Sequence, residues 1–233
     1  LIRIIHNIKI VNAMINLPDF SKKWDYENNY YLSCDTARFG KFIAHYELFK
    51  MAVDLPGALV ECGVFKGTSL IRWAGFRALF SNSLSKKIVA FDTFGDFPAT
   101  NFEDDKKLRD KLIIEAGAGS ISQEQLLEVL RYKHTDQNVE CVVGDILETV
   151  PQYVKEHPDF QISLLNLDTD LYEPAVVILE HFWPRMVKGG VLILDDYGVF
   201  PGETKAVDDY FKNNPVEIKK FKYANTPCYI IKE

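Results

Sequence analysis

The stretch QISLLNLDTDLYEPAVVILEHF (161–182) decides the fold. Its first eight residues, QISLLNLD (161–168), are a near-continuous apolar run that ends on an acid. Apolar residues then recur at helical spacing from about Leu171 to Val187. A buried strand feeding an amphipathic helix is the physical reading of that switch in period. The same unit recurs on both sides. ALVECG (58–63) precedes GTSLIRWAGFRALF (67–80), and VECVVG (139–144) precedes ILETVPQYVKEH (146–157). KIVAFD (87–92) precedes two charged helical patterns, DDKKLRDKLIIEAG (104–117) and SQEQLLEVLRYKH (122–134). VLILDD (191–196) precedes a helix around ETKAVDDYFKNN (203–214). Two final runs, VEIKKFKY (216–223) and PCYIIKE (227–233), flank a turn at ANTP and predict an antiparallel pair.

Five strands alternating with helices predict an α/β, doubly wound, mostly parallel sheet covered on both faces, seven-stranded with the closing pair. No repeat, low-complexity tract or Pro/Gly-rich linker divides the 233 residues. A single domain is expected, with residues 1–50 as an N-terminal helical or lid extension and residues 51–233 as the body. Ile4, Ile5, Ile8, Val11 and Ile15 follow helical spacing. They predict an amphipathic helix that packs on the domain or on a second copy, hence a homo-oligomer. Arg3, His6 and Lys9 interrupt this segment, so neither a signal peptide nor a membrane span is expected.

With 47% hydrophobic and 26% charged residues, the composition is that of a globular protein. The net charge of −6 offers no broad basic surface to nucleic-acid phosphates. Cys34, Cys62, Cys141 and Cys228 show neither CxxC nor Cys/His spacing. Free thiols in a reducing cytoplasm are the expectation.

Ligands of an open parallel sheet bind beyond the carboxyl ends of its strands. Here every parallel strand ends in a polar group: Glu61-Cys62-Gly63, Asp92, Gly144-Asp145, Asp168-Thr169-Asp170 and Asp195-Asp196. Gly63 and Gly67 allow close backbone approach, and the helix after Gly67 presents its N-terminus to an anion. Asp92, ending the next strand, is placed to accept from a ribose diol, which points to an adenosine-bearing ligand. Asp168, Asp195 and Asp196 end neighbouring strands, and three converging carboxylates call for a counter-ion. All-oxygen ligation favours a hard divalent cation such as Mg²⁺ over zinc. Asp170 and Asp145 each stand three residues before a Glu and also read as helix caps. Asp208 and Asp209 read as a solvated helix face.

GALVECGVFKGTS (57–69), VAFDTFGDFP (89–98), NLDTDLYEP (166–174) and GGVLILDDYGVFPGETKAVDDYF (189–211) together resemble the macrocin O-methyltransferase (TylF/MycF/NovP-like) family. The resemblance spans roughly residues 55–212 and departs from the family's usual Trp-Arg-Gly-Gly run at Phe65-Lys66-Gly67-Thr68. It implies a Rossmann-like class I methyltransferase fold. It also implies a metal-dependent O-methyltransferase that moves a methyl group from S-adenosylmethionine to a hydroxyl of a sugar or sugar-bearing natural product. Carried over by residue, it implies metal ligation by Asp168, Asp195 and Asp196 and a general-base role for Asp170. Cofactor contacts would come from Glu61, Gly63, Ser69, Asp168 and Asp92 (on the ribose), with Gly144 and Asp145 near the adenine. Two alternatives remain at this level. One is a glycosyltransferase using Asp168-Thr169-Asp170 as a DxD metal site; the other is a non-catalytic binding protein that keeps the fold.

Overall fold

A computed structural model describes residues 15–233. Of the predicted N-terminal helix only Ile15 falls among them, so that expectation lies outside the described residues. Two helices come first, α1 (Lys23–Ser33) and α2 (Thr36–Ala52). The repeating units then run β1 (Ala58–Cys62), α3 (Thr68–Phe80), β2 (Ile88–Asp92), α4 (Glu103–Ala116), α5 (Gln123–Tyr132), β3 (Val139–Val143) and α6 (Ile146–Glu156). They continue with β4 (Ile162–Leu167), α7 (Tyr172–Phe182), β5 (Met186–Leu194), α8 (Pro201–Phe211), β6 (Lys219–Lys220) and β7 (Cys228–Ile231). The sheet order is β3-β2-β1-β4-β5-β7-β6, parallel from β3 through β5 and antiparallel at β5–β7 and β7–β6. The order reverses between β1 and β4, the switch point where such sheets open a crevice.

Local chemistry explains the boundaries. Ser122 and Gln125 form a reciprocal capping box on α5, Gly117 ends α4 with φ 85°, and Pro201 opens α8 at its first position. β5 begins five residues earlier than the apolar run VLILDD predicts, because Met186 pairs with Ile162 ahead of an irregularity after which Val191 pairs with Leu164. No helix among the described residues is long and apolar enough to cross a membrane.

The pleat sorts the core into two layers. Val60, Cys62, Val89, Phe91, Leu192 and Leu194 pack toward α6, α7 and α8. Leu59, Ile88, Ala90, Leu164, Val191 and Ile193 pack toward α2, α3 and α5. Because neighbours on a strand alternate faces, the residue after each strand tip is already assigned to a layer. Of the expected N-terminal extension, α2 joins the second layer directly: Leu48, Phe49 and Ala52 are fully buried in it.

A buried carboxylate ties the crevice wall to the rest. Asp105 on α4 is fully buried and accepts from the backbone N–H of Tyr172 (3.0 Å) and of Gly202 (2.7 Å). These lie in the first turns of α7 and α8, whose N-caps Leu171 and Phe200 supply no side-chain bond. One acid thus serves two helix N-termini. A Cβ on Gly202 would stand 1.9 Å from the Asp105 carboxylate, which fixes glycine there. Asp105→Ala strands both donors and is expected to cost about 2–4 kcal/mol. That is a fall in Tm on the order of 10 °C by differential scanning calorimetry, with Asp105→Asn losing less.

Candidate active site

The strand tips surround a cavity of about 650 Å³. Gly63, Ser69, Asp92, Asp145, Asp168 and Asp170 line it, together with residues from α1, α2 and α4. Segment 97–101 and the inner side of α4 form its outer wall. Glu173 fixes that wall by accepting from the N–H groups of Asn101 (2.8 Å) and Phe102 (3.1 Å) and from the Thr100 hydroxyl (2.9 Å).

The turn after β1 is built by backbone necessity. Gly63 has φ 90°, and a Cβ there would lie 1.8 Å from the Asp168 carbonyl oxygen. The tips of β1 and β4 therefore stay this close only because residue 63 has no side chain. Gly67, with φ 78°, starts α3, which has no side-chain N-cap. Asp92 holds this loop: its Oδ2 accepts from Val64 N (2.6 Å) and Phe65 N (3.1 Å), and its Oδ1 from Phe94 N (2.6 Å). The expected ribose acceptor thus lies on the cavity with much of its bonding capacity already spent on the turn.

Glu61 lies beneath the turn, outside the cavity lining, because its position on β1 points into the α2/α3 layer. It accepts from the Ser69 hydroxyl (3.0 Å), Trp73 Nε1 (2.6 Å) and Asn166 Nδ2 (3.4 Å). Full burial raises its pKa to about 8 against the pull of those three donors. Its stability contribution follows from that sign: the folded state holds the proton where the unfolded chain, with a normal value of 4.5, releases it. Stability therefore falls as pH rises through roughly 4.5–8. Glu61→Gln is expected to flatten this slope, so that between pH 6 and 8 the wild-type Tm drops relative to the variant by a few degrees in parallel melts.

Asp168, Asp195 and Asp196 come together as expected, each offering an oxygen within 4.8 Å of the others. Asp195 follows Ile193 onto the α2 face, where it forms an ion pair with Lys41 and lies 3.8 Å from His45 Nε2. Burial is the largest single effect and opposes its ionisation, but Lys41 and His45 together outweigh it and hold Asp195 below the usual carboxylate range. His45, stacked on Trp73 at 4.6 Å, is pushed down by burial and stays neutral. Asp196 falls on the other face, and its N–H donates to Glu203 on α8 (3.0 Å). Asp168, Asp196 and Glu203 are all raised well above normal, first by burial and then by neighbouring carboxylates, Asp195 foremost for Asp168 and Asp196 and Asp196 foremost for Glu203. One lysine cannot neutralise this set. His45, Asn166, Thr169, Asp195 and Glu203 each keep a buried polar atom without a partner among the described residues. A hard, oxygen-seeking cation fits that donor set.

Asp170 does not cap α7, correcting the capping-box alternative. The N-cap is Leu171, which supplies no side-chain bond, the Tyr172 N–H goes to Asp105, and Glu173 is occupied with the wall. Asp170 instead sits one residue earlier in a left-handed conformation, φ 63°, lining the cavity. Burial, then Asp168, raises its pKa to about 7, and its carboxyl meets that of Asp196. Asp145 does cap, accepting from Leu147 N (2.9 Å), while lining the cavity beside Ile146 and Leu147. Gly144 stays behind the lining, its N–H donating to the Asp92 carbonyl (3.0 Å). Asp208 and Asp209 are exposed, as expected of a solvated face. The four cysteines are free, and burial raises the Cys62 thiol, which leaves it inert.

Sequence reasoning missed Lys41, His45 and Glu203. Lys41 and His45 are one helical turn apart, a signal that identifies a shared face but not what that face meets.

The family described as macrocin-O-methyltransferase (TylF) matches residues 38–229. The chain is 30% identical over 163 residues to the 8-demethyl-8-(2,3-dimethoxy-alpha-L-rhamnosyl)-tetracenomycin-C 4'-O-methyltransferase of Streptomyces olivaceus, covering 69% of this chain and 60% of that protein. It is 28% identical over 162 residues to the demethyldecarbamoylnovobiocin O-methyltransferase of Streptomyces niveus, covering 67% and 59%. It thus spans about three fifths of the length of these curated relatives. The crystal structure of CalS11, a calicheamicin methyltransferase, superposes with a TM-score of 0.73 at 27% identity, covering 93% of this chain and 87% of that one.

Proposed function

The chain belongs to the macrocin O-methyltransferase (TylF) family, and from that premise we propose that it transfers a methyl group from S-adenosylmethionine to a hydroxyl of a sugar or sugar-bearing natural product. The observation that carries the reading is the placement of the Asp168, Asp195 and Asp196 carboxylates within 4.8 Å of one another beside the Gly63 turn. A sulfonium donor is drawn to an acidic rim, and a hydroxyl acceptor needs a base and a fixed direction.

In this reading Gly63 lets the β1 turn close on the donor, and Asp92 holds that turn in shape. Ile146 and Leu147, capped by Asp145, form the floor on the adenine side. Asp168, Asp195 and Asp196 would hold a divalent cation, Mg²⁺ by ligand type, which when bound supplies a Lewis acid that lowers the acceptor hydroxyl's pKa. Lys41 keeps Asp195 ionised and oriented. Asp170 takes the acceptor's proton as the O–CH₃ bond forms and the S–CH₃ bond breaks, leaving an ether and a neutral thioether. Burial, which holds the Asp170 carboxyl above its usual range, suits it to that role.

The test is transfer of a labelled methyl group to a panel of glycosides and nucleotide sugars, with and without EDTA. Transfer that EDTA stops and Mg²⁺ restores is the expected result. Chelator-insensitive transfer would remove the cation from the reading, and binding of S-adenosylhomocysteine without transfer to any hydroxyl would leave a binding protein. The expected homo-oligomer is tested separately by light scattering, where a monomer would refute it.

A further inference from the structure

Four cationic side chains line the cavity: Arg38, Lys41, Lys66 and Arg72. Two are engaged, Lys41 with Asp195 and Lys66 with the carbonyl of Ala116. The other two guanidiniums make no hydrogen bond or ion pair among the described residues. Arg38 projects from α2 one turn before Lys41. Arg72 projects from α3 one turn after Thr68 and Ser69, half-buried, with its guanidinium 5.8 Å above the Phe42 ring. Both guanidiniums line the same cavity. Burial pushes Arg72 down against the opposing pull of Tyr30 and Asp195.

Guanidiniums stay charged at any physiological pH, so two without a partner on one cavity, one of them half-buried, favour an anion that joins them. Asp195 acts on Arg72 but forms its ion pair with Lys41 instead. The rigid five-donor fork of arginine matches the two in-plane oxygens of a carboxylate or the face of a phosphate. Two forks from different helices on one cavity wall define a direction as well as a charge.

We propose that Arg38 and Arg72 form an oxyanion-binding subsite, which receives a carboxylate or phosphate group of a ligand held in this cavity. Two ligands could bring that group. One is the methyl donor, through the carboxylate of its amino-acid end; the other is an acceptor bearing an acidic substituent. The choice of probes rests on the proposed methyl transfer, while the subsite itself rests on the two arginines.

The experiment is calorimetric titration of the full chain and of Arg72→Gln, Arg38→Gln and Arg72→Lys. Three probes are used: S-adenosylhomocysteine, its decarboxylated analogue, and inorganic pyrophosphate with and without S-adenosylhomocysteine. If the donor carries the anion, the wild type prefers S-adenosylhomocysteine over the decarboxylated analogue by tenfold or more. Arg72→Gln then erases the preference without weakening the analogue. If the acceptor carries it, pyrophosphate binds the wild type, and either glutamine variant weakens it tenfold or more. In both cases Arg72→Lys retains part of the affinity. The proposal is overturned if the wild type neither prefers the carboxylate nor binds pyrophosphate, or if both glutamine variants hold every probe as the wild type does. Arg38 is exposed, so Arg38→Gln remains informative should Arg72→Gln fold poorly. A wild type that binds pyrophosphate but no S-adenosylhomocysteine would sink the methyltransferase reading and leave the subsite standing.

Discussion

Asp195→Asn is expected to lower methyl transfer by about 10²–10³-fold, the scale of losing one preorganised electrostatic group from an active site. The substitution preserves shape and takes away the one carboxylate that Lys41 holds firmly ionised. Lys41 also lies within the field of Asp168 and Asp196, so the freed ammonium retains a partner and the fold survives. Parallel calorimetry should therefore show Tm within a few degrees of wild type while turnover of labelled donor collapses. S-adenosylhomocysteine affinity measured on the same variant separates the two halves of the cavity. Unchanged affinity with lost turnover places Asp195 on the acceptor side. Full activity in Asp195→Asn would remove the carboxylate cluster from the reaction.

Gly63→Ala is the second large effect, and it strikes architecture before chemistry. The added methyl would sit 1.8 Å from the Asp168 carbonyl oxygen and 2.6 Å from its carbon, in a backbone conformation that side chains rarely adopt. Backbone cannot swing aside as a flexible side chain can, so β1 and β4 must separate at their tips. A loss on the order of 3–5 kcal/mol follows from overpacking plus strain, a Tm fall on the order of 10–15 °C. Any folded fraction should bind no S-adenosylhomocysteine, since the turn that admits it has been displaced. Melting and binding like wild type would mean that the close approach of residues 63 and 168 is not needed.

The parallel units were legible because their signals are local: an apolar run, an acid at its tip, then a 3.6-residue period. The carboxylate cluster was legible for the same reason, since a residue following a strand must lie at the sheet's rim. Lys41 and His45 were not, because their meaning comes from α2 docking across the sheet beside β5, which no local period encodes. The cap alternative at Asp170 could not be set aside from sequence because the Asp-to-Glu spacing occurs equally in a left-handed turn that precedes the helix. The resemblance implied a cofactor contact for Glu61, whereas its place on the pleat turns it inward to Trp73. The DxD alternative at Asp168-Thr169-Asp170 gives way to family membership across residues 38–229.

The Asp195-Asp196 doublet reaches toward both helical layers, one acid to α2 and the next to α8. Its arrangement therefore depends on an even-odd count along β5. Deleting one residue between Val191 and Leu194 would hand Asp196 to the lysine and turn Asp195 toward α8, with every chemical group still present and none in its place. Evolution can exchange the apolar residues of that strand freely, but it cannot change their number.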